Sequence, residues 1–257
     1  MSATNTQNLI QHTVTDDVAV ISLNRPDKLN ALNASMLHEL ADLVQDYGTG
    51  DLVKGLVVTG AGRAFSAGHD LAGGNQASSA QEIADSVNAF HNVSRACLRT
   101  AVPTIAALNG LAVGGAFEMT LAFDRRIATA SAEVFLPENS LGLTVSNASS
   151  FLLGKLLSRG DALDFVLGAR RVGAEDAKRL GLIDELIELD LVSTAIARVH
   201  EYTPPNCSTQ QHLRLLRPSI REVEEAMENE TAEAIAAWET GLTARGNESF
   251  WKKKRTS

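Results

Sequence analysis

Hydrophobic residues along the chain fall into short unbroken runs separated by longer segments of helical period. Val18-Ala19-Val20-Ile21-Ser22-Leu23 and Gly55-Leu56-Val57-Val58-Thr59 scarcely alternate, which predicts strands buried on both faces. Between them, residues 34–47 put Met36, Leu37, Leu40, Leu43, Val44 and Tyr47 on one stripe, a helix that Gly48 stops. The order strand, helix, strand predicts parallel pairing through crossover helices. A second helical stripe runs over 81–99 through Ile83, Val87, Phe90, Cys97 and Leu98, and Thr104-Ile105-Ala106-Ala107-Leu108 is a third buried run. Short strands follow at Arg126-Ile127-Ala128-Thr129 and Val134-Phe135, then helices with glycine stops, as at Ala174 to Leu180 before Gly181.

From about residue 192 the pattern is helical only, punctuated by Pro204-Pro205 and Pro218. Ser219-Ile220-Arg221-Glu222 has the form of a capping box. Beyond it Ile220, Val223, Met227, Ala234, Ile235, Trp238 and Leu242 form an apolar seam that requires a surface to pack on, in this domain or in another subunit. The pattern therefore predicts an α/β chain, with an α/β domain at 1–192 and a helical region at 193–257.

Composition narrows the classes. With 257 residues, 44% hydrophobic and 21% charged, the chain has the make-up of a globular protein able to bury one large core. No apolar run approaches the roughly 20 residues of a membrane span. Residues 1–7 are polar, without the basic and apolar segments of a secretory leader. Cys97 and Cys207 make neither a disulfide framework nor a metal site, so a reducing cytoplasm is the expected setting and no metal is expected. A net charge of −8 argues against nucleic acid or an anionic membrane as partner, the local exception being Lys252-Lys253-Lys254-Arg255.

Candidate chemistry concentrates in Asn109-Gly110-Leu111-Ala112-Val113-Gly114-Gly115-Ala116-Phe117-Glu118. The strand ends at Asn109-Gly110, and a Gly-Gly pair lets a ligand lie against the main chain at the start of a helix. The first N–H groups of a helix lack internal acceptors and sit at its positive end. Gly115 and Glu118 are three apart, so one helical turn offers an N–H donor and a carboxylate to the same small volume. A second stretch, Gly60-Ala61-Gly62-Arg63-Ala64-Phe65-Ser66-Ala67-Gly68-His69-Asp70-Leu71, follows a strand with Gly-x-Gly. Phe65 stands where a dinucleotide fingerprint needs its third glycine, so it is read as a ligand-facing loop exposing main chain at Gly68 and His69. Gly73 to Ser79 continues as a small, polar loop.

Taken together, the chain resembles the crotonase (enoyl-CoA hydratase/isomerase) family. The motifs are Asn24-Arg25-Pro26 with Asn30-Ala31-Leu32-Asn33, Thr59 through Leu71, the Gly-Gly helix through Glu118, Asp124-x-Arg126-Ile127-Ala128, Pro137-Glu138-x-x-Leu141-Gly142-Leu143, and Ala174 through Leu182. The resemblance implies a right-handed spiral of β-β-α turns, followed by a helical region that builds trimers, often paired into hexamers. It implies an acyl-CoA thioester substrate and no cofactor besides the coenzyme A that the substrate carries. The thioester oxygen would sit between the N–H groups of His69 and Gly115. Lys28, Ala31, Ala67, His69, Asp70, Leu71, Ala72 and Gly115 would line the substrate, with Lys28 able to reach a phosphate.

In family members that hydrate a double bond, two glutamates hold one water; they correspond here to Glu118, which would activate the water, and Glu138, which would protonate C2. The leading expectation is enoyl-CoA hydration. Isomerase, decarboxylase or hydrolase chemistry, or a non-catalytic binding role, are the alternatives. Two departures stand out: His69 lies where many hydratases carry a small or apolar residue, and residues 144–150 replace a proline and Gly-Gly pair common in the family, beside the acyl pocket.

Overall fold

A computed structural model describes residues 8–70, 77–246 and 248. Leu71, Ala72, most of the Gly73 to Ser79 loop and the Lys252 to Arg255 run lie outside the described residues.

The β-rich part consists of two sheets fed alternately by the chain. β2 (Val18–Leu23), β3 (Gly55–Gly60), β5 (Thr104–Leu108), β7 (Arg125–Thr129) and β10 (Glu185–Ile187) run parallel in one sheet, and β1 (Ile10–Thr15) joins its edge antiparallel to β2. β4 (Ala64–Ser66), β6 (Leu111–Val113) and β8 (Glu133–Phe135) are parallel in the other, which β9 (Val172–Gly173) closes antiparallel to β8. β3, β5 and β7 are thus each followed by a strand of the second sheet: the β-β-α spiral that the sequence resemblance implied. Every residue of β3 and β5 is buried, the continuous apolar pattern of parallel strands covered on both faces.

Two strands replace what the sequence presented as loops. β4 lies inside the stretch read as a ligand-facing loop, and β6 fills the gap between Gly110 and the Gly-Gly pair. Each is three residues long, too short for periodicity to register. β1 is exposed at every position after Ile10, so it carries no hydrophobic signal.

Helices α1 (Ala34–Tyr47) and α2 (Ala80–Arg99) pack together over the main core, which includes Met36, Leu40, Val44, Phe90 and Val93. The side chains of Asn33 and Ser79 cap them by accepting from Met36 N and Glu82 N. A separate cluster of Val18, Val57, Ile105, Ile127, Ala195 and Val199 lies where α8 (Leu191–Tyr202) covers the first sheet. α10 (Ile220–Glu239) packs on α2 and on α5 (Ser149–Leu156), burying Val223, Met227 and Ala234. Part of the apolar seam is therefore packed within its own chain, while Ile220, Ile235 and Trp238 stay half-buried and Leu242 lies beyond α10, exposed. The expected capping box does not form. Ser219 occupies the N-cap but its hydroxyl caps nothing, because that end of the helix is exposed and water can serve its first N–H groups.

Arg217, in the connection before α10, ties this region to the sheet. Its guanidinium donates to both oxygens of Asp124 (2.7 and 2.6 Å) and to the carbonyls of Thr100 (2.5 Å) and Val102 (3.0 Å). Asp124 in turn accepts from Thr104 N and Oγ1 at the start of β5. Removing one partner of a buried pair strands the other charge. Arg217→Met is therefore expected to lower unfolding free energy by about 3 kcal/mol in urea titration. A change near zero would mean that the pair contributes no net stability.

Candidate active site

The site forms where β4, β6 and β8 end side by side. The segment after β4 is pinned first: Leu32 N donates to Gly68 O and Asp70 N donates to Leu32 O (2.8 and 2.9 Å), a one-residue parallel bridge between Leu32 and His69. In that pattern the N–H of His69 points away from Leu32, towards the β6 side. Arg25 locks the same segment from outside, donating to Ala31 O (2.6 Å) and to Asp70 Oδ2 (2.9 Å). Ala67 N donates to Leu29 O (2.8 Å), so Ala31, Ala67, His69 and Asp70 converge, with Lys28 exposed beside them on a 3-10 turn.

Close approach explains the glycines. Gly68 has φ +84°, and a Cβ there would meet Val113 O at 2.7 Å. A Cβ on Gly115 would lie 2.8 Å from the Phe90 ring, and the His69 ring stands edge-on to the same Phe90 at 5.8 Å. His69 and Gly115 therefore flank one aromatic residue. Gly115 opens α3 (Gly115–Thr120), so its N–H is among the helix's unclaimed donors. The His69 side chain is exposed but densely surrounded by protein, which lowers its pKa; Asp70 pulls the other way.

Glu118 lies in the first turn of α3 and Glu138 opens α4 (Glu138–Leu141); both are buried. Gly114, the N-cap of α3, has φ +54°, and a Cβ there would fall 2.3 Å from Glu138 Oε1, so this carboxyl rests against the Gly-Gly turn. Glu118 Oε2 accepts from Ser146 N (2.8 Å) and Ser146 Oγ (2.5 Å). Glu118 Oε1 and Glu138 Oε2 are buried without a hydrogen-bond partner.

Burial pushes the Glu138 pKa up to about 7. Burial and then the charge of Glu138 raise that of Glu118, against the Ser146 bonds. Because the charge of one acts on the other, the two carboxyls titrate as a pair.

The linkage to stability has a definite sign. A carboxyl whose pKa rises on folding holds its proton more tightly when folded, so stability falls as pH climbs from the reference value of 4.5 through about 7. Glu138→Gln is expected to stabilise the fold by about 1–3 kcal/mol near pH 8 and not at all near pH 4. Urea unfolding across that range reads the difference; equal effects at both ends would show that the acid is not held protonated.

Ser146 escaped residue-by-residue reading, although the departure over 144–150 marked its loop. Glu230 did too: it is buried on α10 and accepts from Ala148 N, Ser150 N and Ser150 Oγ. Its signal lay in the seam itself, since 223, 227, 230 and 234 follow helical spacing and a charge stands at the third position.

His69 and Gly115, packed on either side of Phe90, thus lie at one end of an α/β spiral together with two buried acids, Glu118 and Glu138. Comparison with known proteins places the chain in a family. The family model for enoyl-CoA hydratase/isomerase matches residues 13–250. A 4-chlorobenzoyl coenzyme A dehalogenase of Arthrobacter is 33% identical over 236 residues, covering 89% of this chain and 84% of the relative. A short-chain-enoyl-CoA hydratase of Clostridium acetobutylicum is 32% identical over 180 residues, 69% of each. The crystal structure of an enoyl-CoA hydratase/isomerase from Pseudoalteromonas atlantica superposes with a TM-score of 0.83 at 27% identity, covering 95% of this chain and 97% of that one. The chain belongs to the enoyl-CoA hydratase/isomerase, or crotonase, family. Among the described residues, no helix is long and apolar enough to cross a membrane.

Proposed function

We propose that the protein adds water reversibly to a 2-enoyl-CoA thioester, giving a 3-hydroxyacyl-CoA. One observation carries this reading: each acid leaves one buried carboxyl oxygen unpartnered, Oε1 of Glu118 and Oε2 of Glu138. A water has two O–H groups and can be held by one oxygen from each acid, its lone pair left for carbon. A dehalogenase and a hydratase stand at nearly equal identity to this chain, so similarity alone does not choose the reaction. The acid pair does.

In the proposed cycle the thioester oxygen accepts from His69 N–H and Gly115 N–H. Water oxygen bonds to C3, its proton passes to Glu118, and the C2–C3 π electrons move into a thioester enolate. The two main-chain donors stabilise that charge, each by about 2.7–4 kcal/mol on the scale of a single oxyanion-hole donor. Glu138 then gives its proton to C2. One O–H bond of water, the O–H bond of Glu138 and the C2–C3 π bond have broken, and C3–O, C2–H and Glu118 O–H bonds have formed; the acid proton has moved from Glu138 to Glu118 and returns through solvent. The segment Lys28, Ala31, Ala67, His69 and Asp70, with Leu71 and Ala72 next in sequence, is proposed to hold the coenzyme A moiety. The helical region 193–257 is proposed to build a trimer or hexamer, a reading supported by exposed Leu215 and Leu216 on α9 (Thr209–Leu216).

The test supplies a 2-enoyl-CoA and a 3-enoyl-CoA separately and follows the absorbance of the conjugated thioester. Hydration predicts its loss from the 2-enoyl substrate. A gain from the 3-enoyl substrate, with the 2-enoyl compound untouched, would instead establish isomerisation.

A further inference from the structure

The proposed base, Glu118, is oriented by a loop that a carboxyl of the C-terminal region, Glu230, ties down by hydrogen bonds. Residues 146–148 turn through two consecutive left-handed positions, Asn147 at φ +63° and Ala148 at φ +58°, neither a glycine. Such backbone persists only where its surroundings hold it. Glu230 supplies the hold. Its Oε2 accepts from Ala148 N (2.8 Å), and its Oε1 accepts from Ser150 N (2.8 Å) and Ser150 Oγ (2.7 Å). On the other side of the turn, Ser146 N and Oγ both donate to Glu118 Oε2. Asn147 completes the link: its Nδ2 donates to Ser146 Oγ (3.0 Å), directing the hydroxyl's own proton at Glu118, and to Gly115 O (3.3 Å). Ser94 Oγ donates to Asn147 Oδ1 (2.7 Å), which fixes the amide's orientation.

We infer that Glu230 is a positioning residue for the active site: it holds the left-handed turn that aims Ser146 at Glu118. The inference rests on the reading of Glu118 as the group that takes a proton from water. A side chain with two acceptor oxygens fits this place, because each oxygen accepts a main-chain N–H. Glutamine would turn an NH2 group against one of those donors. His91, buried on α2 with Nδ1 4.0 Å from Glu230 Oε2, does not replace them; burial and then the Arg95 charge lower its pKa to about 3, so it is neutral.

Glu230→Gln is expected to lower kcat about 10- to 100-fold, the worth of a hydrogen bond to a charged group, with KM within about twofold. Ser146→Ala should do the same, and the double variant should be little worse than either single one, because both act through one turn. Amide hydrogen exchange in the full-length protein gives a readout independent of the reaction. Exchange at Ser146 N–H should quicken about tenfold or more in Glu230→Gln while β3 and β5 stay protected. Ser150→Ala removes one donor only and gives the same readout, more weakly, should the glutamine variant not fold. Unchanged exchange at Ser146, or fully additive losses in the double variant, overturns the inference. Retained hydration in Glu118→Gln would instead overturn the functional reading and leave the exchange result to decide the positioning role.

Discussion

Replacing Glu138 with Gln is expected to slow turnover by about 10²- to 10⁴-fold, the usual worth of a positioned general acid. Glutamine keeps the size and shape of the side chain but has no proton to give to C2. Glu118→Gln should cost a similar factor, because its amide cannot take the proton of the attacking water. Acyl-CoA binding should be nearly unchanged in both, since in the proposed cycle the thioester is held by main-chain donors and not by the acids. The double variant should be only slightly worse than either single one, because the two act on one water and titrate as a pair. Steady-state kinetics paired with calorimetric binding of a 3-hydroxyacyl-CoA separates these effects. Near-wild-type turnover in either variant would remove that acid from the mechanism.

The second large effect is expected at a residue with no side chain. Gly114 sits at φ +54° with Glu138 Oε1 where a Cβ would go, only 2.3 Å away. An alanine there meets the far end of a flexible side chain, so the protein can yield by swinging the Glu138 carboxyl aside. The predicted loss in kcat for Gly114→Ala therefore approaches that of Glu138→Gln, about 10²-fold or more, together with about 1–3 kcal/mol of backbone strain. Gly154 is the control. It lies in α5 with nothing within 4 Å of its Cβ position, so Gly154→Ala should stabilise the helix by up to about 1 kcal/mol and leave kinetics alone. Full activity in Gly114→Ala would show that Glu138 does not need its place against the turn.

These two predictions draw on different levels of what the chain reveals. Glu118 was legible in the sequence because it sits in a Gly-Gly helix start, whereas Glu138 stood out only through the family resemblance of the Pro137-Glu138 stretch. The main parallel strands were legible because burial on both faces leaves unbroken apolar runs such as Leu56-Val57-Val58. Of the second sheet only β8 showed, as Val134-Phe135; β4 and β6 are three residues each and announce themselves only by pairing with their neighbours. The Glu230 contacts to Ala148 and Ser150 span 82 and 80 residues, and no local pattern encodes such a meeting. A charge on a buried helical stripe was the available clue, and it told of a partner without saying which. The capping box shows the converse: Ser219 has the right spacing, yet at an exposed helix end water serves as well as a hydroxyl.

The most direct test of the central claim is the fate of a 2-enoyl-CoA incubated with the enzyme in heavy-oxygen water and, separately, in deuterium oxide, with products read by mass spectrometry. The account predicts a 3-hydroxyacyl-CoA carrying one solvent oxygen at C3 and one solvent deuterium at C2, with both labels lost in Glu118→Gln and Glu138→Gln. Recovery of unlabelled 2-enoyl-CoA at concentrations where it demonstrably binds, or solvent oxygen entering at the thioester carbon, would contradict it.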